Sequence, residues 1–470
     1  MLQVPSTRSV DRRCRAIANA SLAWRPPRSI ARHVESGAPA PAASSGPADA
    51  PLLPGADELF DILIDDAGVI TGIVPARGGS GDCGGDAWGE VLDAEGSLVL
   101  PGFVDGHVHL DKALLNARCC AETGTFPEAL AQTLAAKRGF TVADIGRRAR
   151  RVIESAVAFG TTRMRSHAEV DPEVGLRAVE ALLDLKREFA WALDLQVAAF
   201  AQEGVRDGGA LLREALRLGC DCVGSAPYCD PDPAGNIRLV FALAAEFGVG
   251  GVDFHLDYHL GDEKESHLDC VLAELGRARS SPPRVCLGHC TALSSQPPAA
   301  LAVTAQRLRQ AGCAGGVSVL ALPASDVYMM ARGDAQDRRR GVAPVDQLAK
   351  LGVRAAFATN NVQNLFTFTG DGDMLKVATL TAQMLQLGAR AEHAALLRMA
   401  TAGAAEVIEL AGAGGAGHDL AAGCSADLVL LRGAKTATDA IAAPPVRRVV
   451  LKRGRIVAET QATVELFPPA

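Results

Sequence analysis

Aromatic residues make up only 4% of this 470-residue chain, and most of its basic residues are arginine. None of the twelve cysteines forms a C-x-x-C pair, which excludes the usual spacing of structural zinc sites and dithiol redox motifs. No apolar run approaches the roughly 18–20 residues needed to cross a bilayer, so no membrane role is expected. Positive charge is not in excess: 47 Lys+Arg against 54 Asp+Glu give a net charge of −7. Sequence-independent nucleic-acid binding needs a basic face, so no nucleic-acid partner is expected. What is present is a 48% hydrophobic chain, enough for one large domain and a smaller one. With no recognisable secretory signal, the scattered cysteines read as reduced, mostly buried residues of a cytoplasmic protein.

The first 55 residues differ from the rest. Up to Val34 there are seven arginines and one acid, Asp11, leaving +6 there and −13 elsewhere. A Pro/Ala/Ser/Gly stretch follows that cannot bury enough apolar surface to order itself. Residues 1–55 are therefore expected to be a disordered extension. An Arg-rich, acid-poor start also resembles an organellar transit peptide, and a start codon placed too early reads the same way.

From Phe60 alternating apolar residues in FDILIDDAGVITGIV and EGSLVLPG predict short antiparallel strands. ADLVLLRG and VRRVVLKRGRIVAE repeat the pattern near the other end. Residues 56–100 and 415–470 are thus expected to close one β-sandwich. Between them, residues 101–414 alternate strand and helix patterns. The strand candidates are LVLPGFVDGHVH, TTRMRSH, LDLQVAAF, CDCVGSA, GVGGVDFHL, RVCLGHC, GGVSVLAL and VRAAFATN. Eight such units point to an α/β fold, a (β/α)8 TIM barrel, with its site at the carboxyl ends of the strands. A doubly wound sheet would carry a glycine fingerprint after the first strand, and none is present. GDGDML is expected to cap the following helix through Asp371 or Asp373.

Four histidines fall at or just past strand ends: His107 and His109 in an H-x-H pair, His255, and His289. A spacing of two on an extended segment aims both imidazoles to one side, as two ligands of one metal require. A lone histidine is more often a hydrogen-bonded core residue; four at one barrel rim are not readily read that way. Phe366 and Phe368 follow the last strand and are candidates for lining a flat-ring pocket. DAQDRRRGVAP reads as a solvated loop rather than a basic recognition patch.

PGFVDGHVHLDK, GTTRMRSHAEVDPEVGLRAVEALLDLK, LDLQVAAFAQEGV, VDFHLD, GHCTAL and RRRGVAPVDQLAKLGV, in this order, resemble the amidohydrolase superfamily in its cytosine-deaminase-like branch. The resemblance implies hydrolysis of a non-peptide C–N bond in a small cyclic amide- or amidine-type molecule, using one divalent ion, zinc or iron. It implies His107, His109 and His255 as metal ligands, His289 as the residue holding the water, and Gln202 as reader of the substrate's amide edge. The strand-4 lysine of two-metal members is missing. Two catalytic positions depart from the pattern: Asn360 stands for the strand-8 aspartate and Tyr258 for the strand-5 glutamate. Asn cannot accept a proton near neutrality, and a phenol is a poor proton shuttle there. Asp105, Asp257, Asp262 and Glu263 are nearby replacements. A barrel that binds metal or ligand without deaminating, or one repurposed to another reaction, is the alternative. The partner expected is a small-molecule substrate; a homo-oligomer is open by analogy.

Overall fold

A computed structural model of the chain describes residues 12–24, 58–76, 90–205, 208–261, 264–278, 282–311, 316–408 and 417–467. In chain order the strands are β1 (Cys14–Leu22), β2 (Phe60–Ile64), β3 (Ile70–Pro75), β4 (Glu90–Asp93) and β5 (Leu98–Pro101). The next eight are β6 (Phe103–Val108), β7 (Thr161–Glu169), β8 (Asp194–Ala201), β9 (Cys222–Ser225), β10 (Gly251–Leu256), β11 (Arg284–His289), β12 (Val317–Ala321) and β13 (Arg354–Phe357). The last are β14 (Leu428–Leu431), β15 (Arg448–Lys452) and β16 (Arg455–Glu459).

Strands β6 to β13 pair in sequence order, each parallel to the next. Asn360 closes the ring: its N–H donates to the His107 carbonyl at 2.8 Å and its own carbonyl accepts from the His109 N–H at 2.7 Å. A parallel strand in such a barrel is covered on both faces, so it reads as an unbroken apolar run; β12, VSVLA, is buried throughout. The covering helices bury one stripe. Helix Arg177–Glu188 buries Ala178, Ala181, Leu182 and Leu185 at helical spacing and leaves its last-turn Lys186 and Arg187 at the carboxyl end. Below the histidines the barrel is plugged. Arg165 of β7 donates to Asp253 of β10 and to the Ile408 carbonyl, both at 2.9 Å.

The other sheet runs β16-β15-β14-β5-β1-β2-β3, with β4 beside β1, and so joins strands from both chain ends. It encloses a second core of residues such as Ile17, Ile62, Ile70, Leu428 and Leu451. Here the expected boundary needs correction. Residues 14–22, assigned from sequence to a disordered extension, form β1, between β5 and β2. The arginines that made this segment look like a basic tail lie at its edges in ion pairs, Arg12 with Glu459 and Arg15 with Asp66, while Ile17, Ala20 and Leu22 face the core. Residues 1–11 and 25–55 of the predicted extension, including Arg8, Arg25, Arg28 and Arg32, lie outside the described residues, as do Asp262 and Glu263. All described cysteines are free thiols.

One buried ion pair ties the sheet to the barrel. Arg448 on β15 donates to both oxygens of Asp373, at 2.8 and 2.7 Å, and to the Phe159 carbonyl at 2.7 Å. Asp373 also caps helix Met374–Leu385, accepting the Leu375 N–H at 3.0 Å. Removing one partner of a buried pair strands the other's charge, at a cost of about 3–5 kcal/mol. Arg448→Ala is therefore expected to lose that much in urea unfolding, and a loss under about 1 kcal/mol would show that the pair is dispensable.

Candidate active site

The carboxyl ends of the barrel strands bring four of the sequence-picked histidines into one buried cluster. His107 belongs to β6, His109 follows it, His255 lies in β10 and His289 ends β11. The Nε2 atom of His255 is 2.9 Å from that of His107 and 3.3 Å from that of His109. The approach of His107 depends on a glycine: a Cβ on Gly288 of β11 would come within 3.1 Å of two His107 ring atoms.

Burial, reinforced by neighbouring positive groups, pushes His107, His109 and His255 well below the usual histidine range, so all three are neutral. Their outer nitrogens face carboxylates. His107 Nδ1 is 3.8 Å from Asp253 and His109 Nδ1 is 3.6 Å from Glu169. Carboxylates on that side favour Nδ1–H and leave the Nε2 lone pairs converging, the arrangement in which imidazoles hold a metal. Two tetrahedral imidazole ligands at about 2.0–2.1 Å from an ion lie about 3.3 Å apart, so the observed spacing fits with a small opening. A further acceptor is at hand: Asn360 is buried and its Oδ1 has no hydrogen-bond donor.

His167, overlooked in the sequence, stands beside this set. One nitrogen from each of His107, His109 and His167 lies within 4.8 Å of the others. Its Nε2, however, is 3.1 Å from Asp253 and its ring centre 3.8 Å from that of His107. The tighter Nε2 convergence belongs to His255. The signal for His167 was the odd-numbered stripe Arg163, Arg165, His167, Glu169 on β7, polar where a barrel strand is otherwise apolar.

His289 is held differently. Its Nδ1 bonds Asp326 at 2.6 Å, and the other Asp326 oxygen accepts the Leu322 N–H at 3.0 Å. Asp326 is buried, which raises its pKa, opposed chiefly by His289. It lies in the short helix Pro323–Met329 that follows β12, where no strand pattern marks it. Tyr258 is buried with its ring centre 4.2 Å from that of His289. Burial pushes its phenol well above its usual value, so the hydroxyl keeps its proton. Phe126, at 5.3 Å, and Tyr228, at 5.9 Å, continue an aromatic wall. Phe366 joins this wall beside Phe126, whereas Phe368 is exposed and packs on Tyr328. Gln202, just past β8, is buried and hydrogen-bonded to the side chains of Tyr228 and Cys229.

The nearby carboxylates are engaged in other ways. Asp257 accepts the Ser266 hydroxyl at 2.5 Å and the His267 N–H at 2.9 Å, which orders the turn before helix Leu268–Arg277. Asp105, pushed up to about 6 by burial, accepts the Thr359 N–H at 3.1 Å. Glu169 at the end of β7 pairs with Lys112 and, at 2.6 Å, with Lys137. Lys137 also meets Asp171 at 2.8 Å and Glu203 at 2.7 Å. The Lys112 ammonium lies 4.6 Å over the Phe366 ring, at the aromatic wall.

The amidohydrolase family profile matches residues 98–457. The chain is 28% identical to the pterin deaminase of Rhizobium rhizogenes, over 93% of this chain and 96% of that one. It is also 28% identical to the N-isopropylammelide isopropyl amidohydrolase of a Pseudomonas species, over 79% of this chain and 89% of the other. Among solved structures, 5-methylcytosine deaminase from Klebsiella pneumoniae superposes with a TM-score of 0.78 at 23% identity, covering 96% of this chain and 99% of its own, a likeness of fold. With a closed parallel barrel, converging imidazoles at its carboxyl end and a family match over most of its length, the chain belongs to the amidohydrolase family.

Proposed function

We propose that this chain is a metal-dependent hydrolase that releases an exocyclic amine from a small nitrogen heterocycle or cyclic amidine. The observation that carries the reading is the convergence of the His107, His109 and His255 Nε2 atoms beside a His289 fixed by Asp326. Two relatives support it by name, one a pterin deaminase and the other an amidohydrolase of N-isopropylammelide. A divalent ion, zinc or iron, held by the three imidazoles supplies the Lewis acidity that makes water nucleophilic near neutral pH.

The chain's own residues manage the protons. Asp326 holds the Nδ1–H of His289, so its Nε2 carries the lone pair and takes the proton that the attacking water loses. The adjacent carboxylate stabilises the imidazolium, which returns that proton to the departing amine nitrogen. This route needs no carboxylate at position 360. Tyr258 stays protonated and donates a hydrogen bond to a ring acceptor instead of transferring a proton. Gln202 reads the amide edge, and the aromatic wall of Phe126, Tyr228 and Phe366 keeps water from the ring.

Amine release from cytosine, pterin, amino-triazines and cyclic amidines tests the reading on metal-loaded protein. At least one is expected to turn over at about 1 s⁻¹ or faster. Metal-loaded protein that binds these rings and releases no amine from any of them would overturn it, leaving a barrel that binds without deaminating.

A further inference from the structure

A cavity of about 400 Å³ opens beside the histidine cluster, walled by Tyr258, His259 and Lys264 after β10 and by residues 329–334 and Arg339 after β12. Tyr258 connects the two spaces, since its ring also packs on His289. The cavity is thus reached from the same end of the barrel as the catalytic cluster.

Among the described residues its charged lining is Lys264, Arg332, Arg339 and Asp334. Arg339 pairs with Asp334 at 2.8 Å, and its hydrogen bonds hold the Asp334 carboxyl down to about 2. Among the described residues, no carboxylate pairs with Lys264 or Arg332; the Arg332 guanidinium lies 4.6 Å over the Tyr328 ring. Behind them is an orphaned buried nitrogen. His259 is 4% exposed, its Nδ1 donates to the Leu260 carbonyl at 2.8 Å, and its Nε2 has no partner. With Nδ1 committed as a donor, the unpartnered Nε2 is a hydrogen-bonding atom left to meet a group in the cavity. Lys264 and Arg332 around an open cavity suit a planar anionic group, with the Arg332 fork matching both oxygens of a carboxylate.

We propose that this vestibule receives a carboxylate carried on the heterocyclic substrate, with Lys264 and Arg332 as its counter-groups and the His259 Nε2 at its inner wall. The ring end of this assignment rests on the hydrolase reading above. The substrate class is then an amino-substituted heterocycle with an acidic substituent pointing outward from the barrel.

The test uses rings that have already lost the amine and cannot turn over. Binding of uracil against orotate, and of lumazine against lumazine-6-carboxylate, is measured by calorimetry on the metal-loaded protein. The carboxylate member of at least one pair is expected to bind tenfold or more tightly than its neutral partner. That gain should disappear in Lys264→Ala/Arg332→Ala, and Arg332→Glu should reverse it, while the affinity for the neutral ring holds. Both side chains are exposed, so these variants should fold. No carboxylate member binding more tightly, or a gain that survives the double substitution, would overturn the proposal. Tight carboxylate binding without amine release from the amino-substituted rings would sink the hydrolase reading and leave the vestibule standing.

Discussion

Asp326→Asn is expected to lower kcat by about 10²–10⁴-fold with KM little changed, the range for losing an oriented general base. The amide is nearly isosteric, so packing around β12 should survive. The hydrogen bond to His289 Nδ1 would not. An amide NH₂ turned toward His289 favours the tautomer with its proton on Nε2, the nitrogen assigned to receive the water's proton, and an amide oxygen there leaves an imidazolium without a counter-charge. Metal content should remain near one per chain, because Asp326 touches none of the three converging imidazoles. A merely structural role would instead lower thermal stability and metal content together. An unchanged kcat would remove His289 from proton transfer and return that role to another group, of which Asp105 is the buried candidate.

The second large effect separates the two possible histidine sets. His255→Ala is expected to take metal content from about one ion per chain to near zero and to abolish turnover, since it removes the Nε2 atom on which His107 and His109 converge. His167→Ala should keep the ion, because the His167 imidazole faces Asp253. Outer partners of a metal ligand typically contribute 10–100-fold in affinity or activity, so a partial loss in His167→Ala fits the assignment. Metal analysis of both variants on purified protein decides it: an ion kept in His255→Ala and lost in His167→Ala would move the third ligand from β10 to β7.

Much of the site was legible because barrel strands are short and their ends are polar in a regular way. The H-x-H pair in PGFVDGHVHLDK, and His255 and His289 at the ends of apolar runs, could be picked because each breaks a stretch that a buried parallel strand keeps hydrophobic. The same logic, applied to every second residue of TTRMRSHAE, would have found His167 and Glu169. Asp326 left no such mark. It sits in the short helix Pro323–Met329 after β12, and only folding carries it 37 residues back along the chain to His289. β1 was missed for the opposite reason. Its arginines resemble those of a basic tail, and nothing local reveals that Glu459 and Asp66 meet them from distant segments.

What this sequence determined by itself was the barrel, through eight apolar runs at regular intervals, and the imidazoles at its carboxyl end, through a two-residue spacing that an extended backbone converts into a shared direction. What only the tertiary structure decided was which polar groups serve those imidazoles. Closure of β13 onto β6 buries Asn360 at the cluster, the helix after β12 brings the Asp326 carboxylate to His289, and His259, Lys264 and Arg332 meet around one cavity. These depend on contacts between residues far apart in the chain, whose meeting is set by packing and not by any local period.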